Sequence, residues 1–173
     1  MMLSLSNSIR SVYDVIISGL SGVIFAFMFF LGIYQIITRY LINAPSTWSE
    51  ELLTYAFVWM VMFGSAFIFG KREHMRMSFI ADKIKGTTRR LLESFIELLI
   101  DIFSVMVMIA GGTFITNLTF PQVTASLGIT MAYIYVIIPI SGVLILVYSI
   151  FNRIEIWTMG YDDFQEIAEE AKK

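Results

Sequence analysis

The sequence predicts an all-α integral membrane protein with four transmembrane helices. Of its 173 residues, 57% are hydrophobic and only 15% are charged, and the mean hydropathy is +0.76, which is too apolar for a soluble domain of this size. Four uncharged runs approach or exceed the roughly 20 residues that a helix needs to cross the hydrocarbon layer. These runs are continuously apolar, without the alternation of barrel strands, so they are expected to be helices.

The four predicted spans are expected at residues 15–39, 51–70, 95–119 and 129–151, and they divide the chain into three parts. Together they form one transmembrane domain, 15–151, which follows an interfacial, amphipathic N-terminal segment, 1–14, and precedes a polar cytoplasmic tail, 152–173. The first run is longer than the core of a signal peptide, and no small-residue cleavage site follows it, so we expect it to be retained.

Two features of the spans predict how they pack. Ser18, Gly22 and Ala26 form a row of small residues along the first span, and such rows allow helices to approach closely. In the last span, Pro139 is followed by Gly142, a combination that predicts a kink or local unwinding. We expect this kink to be structural.

The positive charges are distributed very unevenly. All twelve Lys and Arg residues except Arg39 fall in the N-terminal segment, in the connection between spans two and three, or at the C-terminal end. Positive residues accumulate on the cytoplasmic side of membrane proteins. The sequence therefore predicts that both termini are cytoplasmic.

Composition also excludes several classes of function. The chain has no cysteine, which excludes disulfides, thiolate metal sites and cysteine nucleophiles, and one histidine cannot supply the paired ligands of a membrane haem. No nucleophile stands beside a base, so we expect neither an enzyme nor a cofactor. No basic stripe interleaved with aromatic residues indicates nucleic-acid binding, and the inverted repeats of many self-sufficient transporters are missing.

The first connection and the start of span two carry several charges close together. Thr47 and Glu50 fit a capping box, and Glu50 with Glu51 suits the positive end of the helix dipole. Arg39 ends span one and faces the same short connection. We therefore expect an ion pair between Arg39 and these acids, which would clamp the first hairpin on its periplasmic side.

Aromatic and basic residues are predicted to anchor the same hairpin. Tyr40 and Trp48 suit the level of the lipid headgroups. Trp59 lies deep in span two, where its indole N–H needs a hydrogen-bond partner. His74 and its basic neighbours are expected to hold the cytoplasmic end of the span.

An acidic stripe marks the start of span three. Arg89, Glu93, Glu97 and Asp101 recur every four residues and therefore share one helical face, on which Arg89 can pair with Glu93. Two interpretations stay open. In one, this part of the helix lies at the cytoplasmic interface and Asp101 is its last hydrated residue. In the other, the stripe meets a basic surface of a partner subunit or takes part in cation coupling, because carboxylates at membrane depth are costly.

Two stretches carry a family resemblance. The first, "RYLINAPSTWSEELLTYAFVWMVMFGSAFIFGKREHMRMSF", resembles the signature region of the small membrane subunit (DctQ/SiaQ type) of tripartite ATP-independent periplasmic (TRAP) transporters. The matching positions are Arg39, Tyr40, Trp48, Glu50, Glu51, Leu52, Trp59, Gly64, Ala66 and His74. The second, "SLGITMAYIYVIIPISG", is similar to the family's entry into its last span, with Pro139 matching. Ser78 and Thr130 depart from the pattern, where an acid and a proline are expected.

The resemblance implies an accessory role in a sodium-coupled importer. The expected partners are a large membrane subunit that carries the sodium and substrate sites, a periplasmic binding protein that delivers an organic acid, and membrane lipids. The substrate class includes C4-dicarboxylates and sialic acids. The small subunit would brace the large one and help to dock the binding protein. The alternative is a small four-helix exporter acting as a homodimer, which needs a carboxylate in span one; the predicted span, 15–39, has none.

Overall fold

Four long helices run back and forth through the protein. The computed structural model describes residues 2–71 and 87–158, with side chains for 9–71 and 91–154. Helix α1 is Met2–Ile36 and continues as a π-helical turn, Ile37–Leu41; α2 is Thr47–Gly70. Helix α3 joins an α-helical part, Thr87–Phe103, a π-helical part, Ser104–Gly111, and a second α-helical part, Gly112–Leu118. Helix α4 begins as one turn, Ala132–Tyr135, and continues as Ile137–Thr158.

All four helices are long and apolar enough to cross a membrane, which confirms the predicted fold class. The candidate spans are Ile9–Leu41, Thr47–Gly70, Leu91–Leu118 and Ala132–Ile154. The N-terminal segment, expected to be an interfacial helix that leads into span one, is helical and continuous with that span, since α1 runs from Met2 to Ile36 without a break. No proline occurs there and the first glycine is Gly19, so nothing in the sequence interrupts the helix.

Helix α4 occupies the middle of the bundle. It packs against α2 on one side and α3 on the other, while α1 packs mainly on α2. Accordingly, 39% of the α4 span is buried within the chain, compared with 11% of the α1 span. The outer surfaces of α1 and α3 are therefore free to contact lipid or another protein.

Helix α1 is held by a single narrow seam. The residues of this seam are buried or half-buried and are spaced alternately four and three apart, as in a left-handed coiled coil. They are Arg10, Asp14, Ile17, Ser21, Ile24, Met28, Leu31, Gln35 and Thr38. Nearly all other side chains of α1 are exposed. The seam is polar at both ends and apolar in between, apart from Ser21.

The predicted row of small residues lies outside this seam. Ser18, Gly22 and Ala26 are all exposed, and a Cβ added at Gly22 would meet nothing within 4 Å. Among the described residues, the row therefore serves no close helix packing. Together with Gly64 and Ser65 on α2, Gly22 lines a shallow groove of about 550 Å³ on the outside of the α1–α2 pair.

Close helix packing occurs instead between α3 and α4. A Cβ at Gly112 would lie 2.8 Å from Cδ of Pro139, and a Cβ at Gly142 would lie 2.8 Å from Cβ of Met108. Helix α4 is irregular at Val136, three residues before Pro139, as predicted for a residue that lacks a backbone donor. Pro139 itself lies against Gly112 of α3, so the irregular start of α4 is part of this close contact.

Candidate functional site

The two short connections meet at one end of the bundle, which we call the short-loop end (residues 37–47 and 119–131). The expected ion pair is present there: Arg39 Nη2 lies 3.5 Å from Glu50 Oε2. Both side chains are about half exposed, so the pair contributes only about 0–1 kcal/mol to stability. It links the end of α1 to the first turn of α2.

Glu51 points away from this pair and reaches the second connection. Its Oε2 accepts hydrogen bonds from the backbone N–H of Ser126, at 2.7 Å, and of Leu127, at 3.1 Å. Its Oε1 accepts a hydrogen bond of 2.6 Å from the hydroxyl of Tyr55, one turn further along α2. Bonds from neutral donors to a carboxylate are stronger than bonds between neutral groups. Glu51 therefore joins α2 to a loop that is 75 residues away in the chain.

The loop presents these two amides because its other polar groups bond among themselves. The N–H of Thr124 donates to the carbonyl of Ile129 at 2.8 Å, and the N–H of Ile129 donates to Oγ1 of Thr124 at 3.1 Å. Gly128 closes the turn with φ of +67°, a conformation that favours glycine. The amides of Ser126 and Leu127 are left at the tip, where they form a small anion-binding concavity that Glu51 occupies.

The predicted capping box is wrong. Helix α2 begins at Thr47, so the capping position belongs to Ser46, and no side-chain hydrogen bond caps the helix there. The residue three positions after Ser46 is Ser49, whose hydroxyl donates back to the Ser46 carbonyl at 2.9 Å. Because the helix starts one residue earlier than the box requires, Glu50 is free to pair with Arg39.

The aromatic residues of the signature are divided between surface and groove. Tyr40 is 72% exposed, and the ring of Trp48 lies 5.6 Å from the ring of Tyr34. Trp59 is half-buried, packs edge-on against Phe63 at 6.1 Å and lines an apolar groove of about 430 Å³ between α1, α2 and α4. Among the described residues, no acceptor bonds its indole N–H. His74 lies outside the described residues.

The acidic stripe of α3 faces α4. Asp101 forms an ion pair with Arg153, and Glu97, which is only 3% exposed, accepts a hydrogen bond of 2.9 Å from the Ser149 hydroxyl. These two carboxylates therefore have partners within the chain. Glu93 is half-buried on the same helix, and the side chain of Arg89 lies outside the described residues.

The depth of Asp101 favours the interfacial interpretation of the stripe. Asp101 lies 17 residues before Leu118, the last residue of α3, which corresponds to roughly 26 Å along a helix. The hydrocarbon layer is about 30 Å thick, so a span that begins near Leu118 places Asp101 near the opposite boundary. Sequence reasoning missed Arg153, although Ser149 and Arg153 have the same four-residue spacing as Glu97 and Asp101.

Two further polar contacts were not predicted, and both lie at the end of the bundle opposite the short-loop end. Arg10 donates a hydrogen bond of 2.6 Å to the carbonyl of Gly70, and the Tyr148 hydroxyl donates one of 2.6 Å to Asp14. They tie α1 to α2 and to α4. We call this end, with Arg10, Lys71 and Arg153, the basic end.

Asp14 lies on α1, just before the predicted span one, 15–39. The candidate span Ile9–Leu41 includes it, but that helix has 33 residues and is longer than the hydrocarbon layer requires. The Asp14 carboxylate is half-buried in the α1 seam and bonded to Tyr148. Among the described residues, no group of three or more histidine or acidic side chains could hold a metal ion.

A comparison with known protein families matches a region that includes both connections of the short-loop end. A family profile of the tripartite ATP-independent periplasmic transporters, DctQ component, matches residues 28–159. The sialic acid TRAP transporter permease protein SiaT of Haemophilus influenzae (strain 86-028NP) is 28% identical over 127 residues, which are 73% of this chain and 20% of that protein. The sialic acid TRAP transporter small permease protein SiaQ of Vibrio cholerae serotype O1 (strain ATCC 39315 / El Tor Inaba N16961) is 28% identical over 122 residues, 70% of this chain and 68% of that protein.

The matched region spans most of the chain, although it covers only about a fifth of the Haemophilus relative and about two thirds of the Vibrio relative. It contains Arg39, the acids of α2 and the loop that Glu51 holds. The four-helix membrane fold agrees with a membrane component. The chain therefore belongs to the DctQ family, the small membrane subunits of the tripartite ATP-independent periplasmic transporters.

Proposed function

We propose that this chain is the scaffold subunit of a sodium-coupled importer in the bacterial inner membrane. It braces a large membrane subunit, which carries the sodium and substrate sites, and helps to dock a periplasmic binding protein that delivers an organic acid. The observation that carries this proposal is the distribution of charge in the bundle. In α1, α2 and α4 the charged side chains of the described spans lie toward a helix end. Glu97 and Asp101 lie further along α3, and both bond to α4 of the same chain, to Ser149 and Arg153. Within the described spans, these contacts leave little charge available to bind a transported ion.

The substrate class follows from the relatives. Both are named as parts of sialic acid transporters, so sialic acid is the first organic acid to test, and C4-dicarboxylates are the second. Selection between them belongs to the large subunit and the binding protein in this proposal.

The orientation follows from the distribution of basic residues. The short-loop end has Arg39 as its one basic residue and is assigned to the periplasm, whereas the basic end, with both termini, is assigned to the cytoplasm. In this orientation the Arg39–Glu50 pair and the loop held by Glu51 form the periplasmic surface. The exposed apolar faces of α1 and α3 are left for lipids and the large subunit.

Asp14 bears on the alternative function, that of a homodimeric exporter. Such a protein needs a carboxylate in its first span, and Asp14 is the one carboxylate on the described part of α1. It lies 27 residues before Leu41, roughly 40 Å along a helix, whereas the hydrocarbon layer is about 30 Å thick. The Asp14 carboxylate also bonds to Tyr148 of the same chain and lies only five residues from the start of the candidate span, at the basic end. This position favours a structural tie between helices.

The test is purification of the tagged protein from its native membranes in mild detergent. A stoichiometric, much larger multi-span protein is the expected companion. Reconstitution of both with sodium, a binding protein and sialic acid should then give uptake that depends on sodium. A homodimer without any companion would refute the scaffold proposal and make Asp14 and Asp101 the residues to replace in an export assay.

A further inference from the structure

The two adjacent acids of α2, Glu50 and Glu51, bond to different connections. Glu50 pairs with Arg39 across the first connection, whereas Glu51 bonds to the second connection. The sequence alone groups them as a pair at a helix start. In the structure they tie two separate loops to one helix end, so the short-loop end is fixed on both sides of α2.

The contacts of Glu51 fix the orientation of the loop and not merely its proximity. One carboxylate oxygen receives both tip amides, from Ser126 and Leu127, and the other receives the Tyr55 hydroxyl. With both oxygens held, the carboxylate has little rotational freedom. The tip is therefore tied to α2 through two adjacent backbone amides at once.

The loop held in this way carries exposed apolar side chains. Phe120 is 68% exposed and Val123 is 60% exposed, and both lie on the same end of the protein as the exposed ion pair of Arg39 and Glu50. Apolar side chains with charged neighbours are typical of a surface that binds another protein. Ordering such a loop before docking lowers the entropy that docking costs.

We propose that Glu51, oriented by Tyr55, is a positioning residue that holds residues 119–131 in the conformation to which the periplasmic binding protein docks. The inference rests on the proposed function and on its orientation. It adds that docking affinity depends on this carboxylate, while transport by the docked complex does not.

The first experiment measures the loop itself, without any transport. The purified complex and its Glu51→Gln variant are compared by hydrogen–deuterium exchange of peptides covering 119–131. We expect the two amides of Ser126 and Leu127 to lose protection, because a neutral amide side chain accepts hydrogen bonds more weakly than a carboxylate. The amide of Thr124, bonded within the loop, is the internal reference. Glu50→Gln is the matched control, since it removes a neighbouring charge that does not touch the loop, and its exchange should equal that of the unmodified complex.

The second experiment measures uptake into proteoliposomes as the concentration of loaded binding protein is varied. In Glu51→Gln the half-saturating concentration should rise about three- to tenfold, the effect of ordering one or two more side chains on docking, while the maximal rate is kept. Tyr55→Phe should give a smaller shift of the same kind and serves if Glu51→Gln does not fold. Unchanged exchange at the two amides overturns the inference, as does a fall in maximal rate with an unchanged half-saturating concentration.

The two proposals fail in different ways. If no large subunit accompanies the chain, the proposed function fails before Glu51 is tested. If the unmodified complex transports and Glu51→Gln behaves identically in both experiments, the proposed function stands and only the positioning role is refuted.

Discussion

The contact between α3 and α4 allows a quantitative prediction. Two glycines in this contact, Gly112 and Gly142, have close neighbours, whereas Gly22 on α1 has none. A Cβ at Gly142 would lie 2.8 Å from Cβ of Met108 and 3.0 Å from Cγ1 of Ile109. Carbon atoms pack best at about 3.5–4.0 Å, so the helices must separate locally by about 0.7 Å. Overpacking of this kind typically costs about 1–3 kcal/mol.

The control is Gly22→Ala, where the added Cβ meets nothing within 4 Å. Alanine has a better helix propensity than glycine by about 1 kcal/mol, and this gain is common to both variants. The difference between Gly142→Ala and Gly22→Ala therefore isolates the packing cost. We expect the unfolding equilibrium constants of the two variants to differ by roughly 5- to 140-fold.

The measurement is reversible unfolding in mixed micelles with increasing SDS, followed by the fluorescence of the three tryptophans. Gly112→Ala repeats the test against Pro139, and Gly64→Ala repeats the control, since a Cβ there also meets nothing within 4 Å. If Gly142→Ala and Gly22→Ala unfold at the same SDS fraction, the close approach of α3 and α4 described here is incorrect.

Three further predictions concern the polar contacts and the orientation. Tyr148→Phe removes a hydrogen bond to a carboxylate of α1 and should destabilise the fold by about 1.5–3 kcal/mol in the same SDS titration; an unchanged midpoint would show that this bond does not tie the helices. Asp101→Asn should destabilise by about 1–2 kcal/mol because it leaves Arg153 without its ion pair, and the double variant with Arg153→Gln should recover most of that loss; additive losses would contradict the pairing. The chain has no cysteine, so Ala125→Cys and Lys71→Cys each create a unique label site, and a membrane-impermeant maleimide added to spheroplasts should modify only Ala125→Cys. The opposite labelling pattern would reverse the proposed orientation.

The fold class was accessible from the sequence because the membrane imposes a local rule. A segment that crosses hydrocarbon must be a helix of about 20 apolar residues, whatever its neighbours are. The same kind of local reasoning located the irregularity before Pro139, which follows from the missing backbone donor. It also anticipated the pair of Arg39 and Glu50, since both flank one short connection.

One prediction was wrong because it depended on one residue of register. The capping box failed because α2 begins one residue earlier than expected, which moved the capping position to Ser46. The N-terminal segment was expected to be a helix leading into span one, and α1 is continuous there because no residue breaks the helix. The point at which α1 enters the membrane stays a prediction.

The tertiary structure alone decided which polar groups find each other. Glu51 bonds to two backbone amides, and since backbone amides occur at every residue except proline, no side-chain pattern could identify Ser126 and Leu127 as its partners. Asp101 meets Arg153 only because α3 and α4 lie side by side in one register. Local hydropathy determined which four segments of the described chain form helices long and apolar enough to cross a membrane. The packing of those helices determined which charges are neutralised by partners and which loop is held in place.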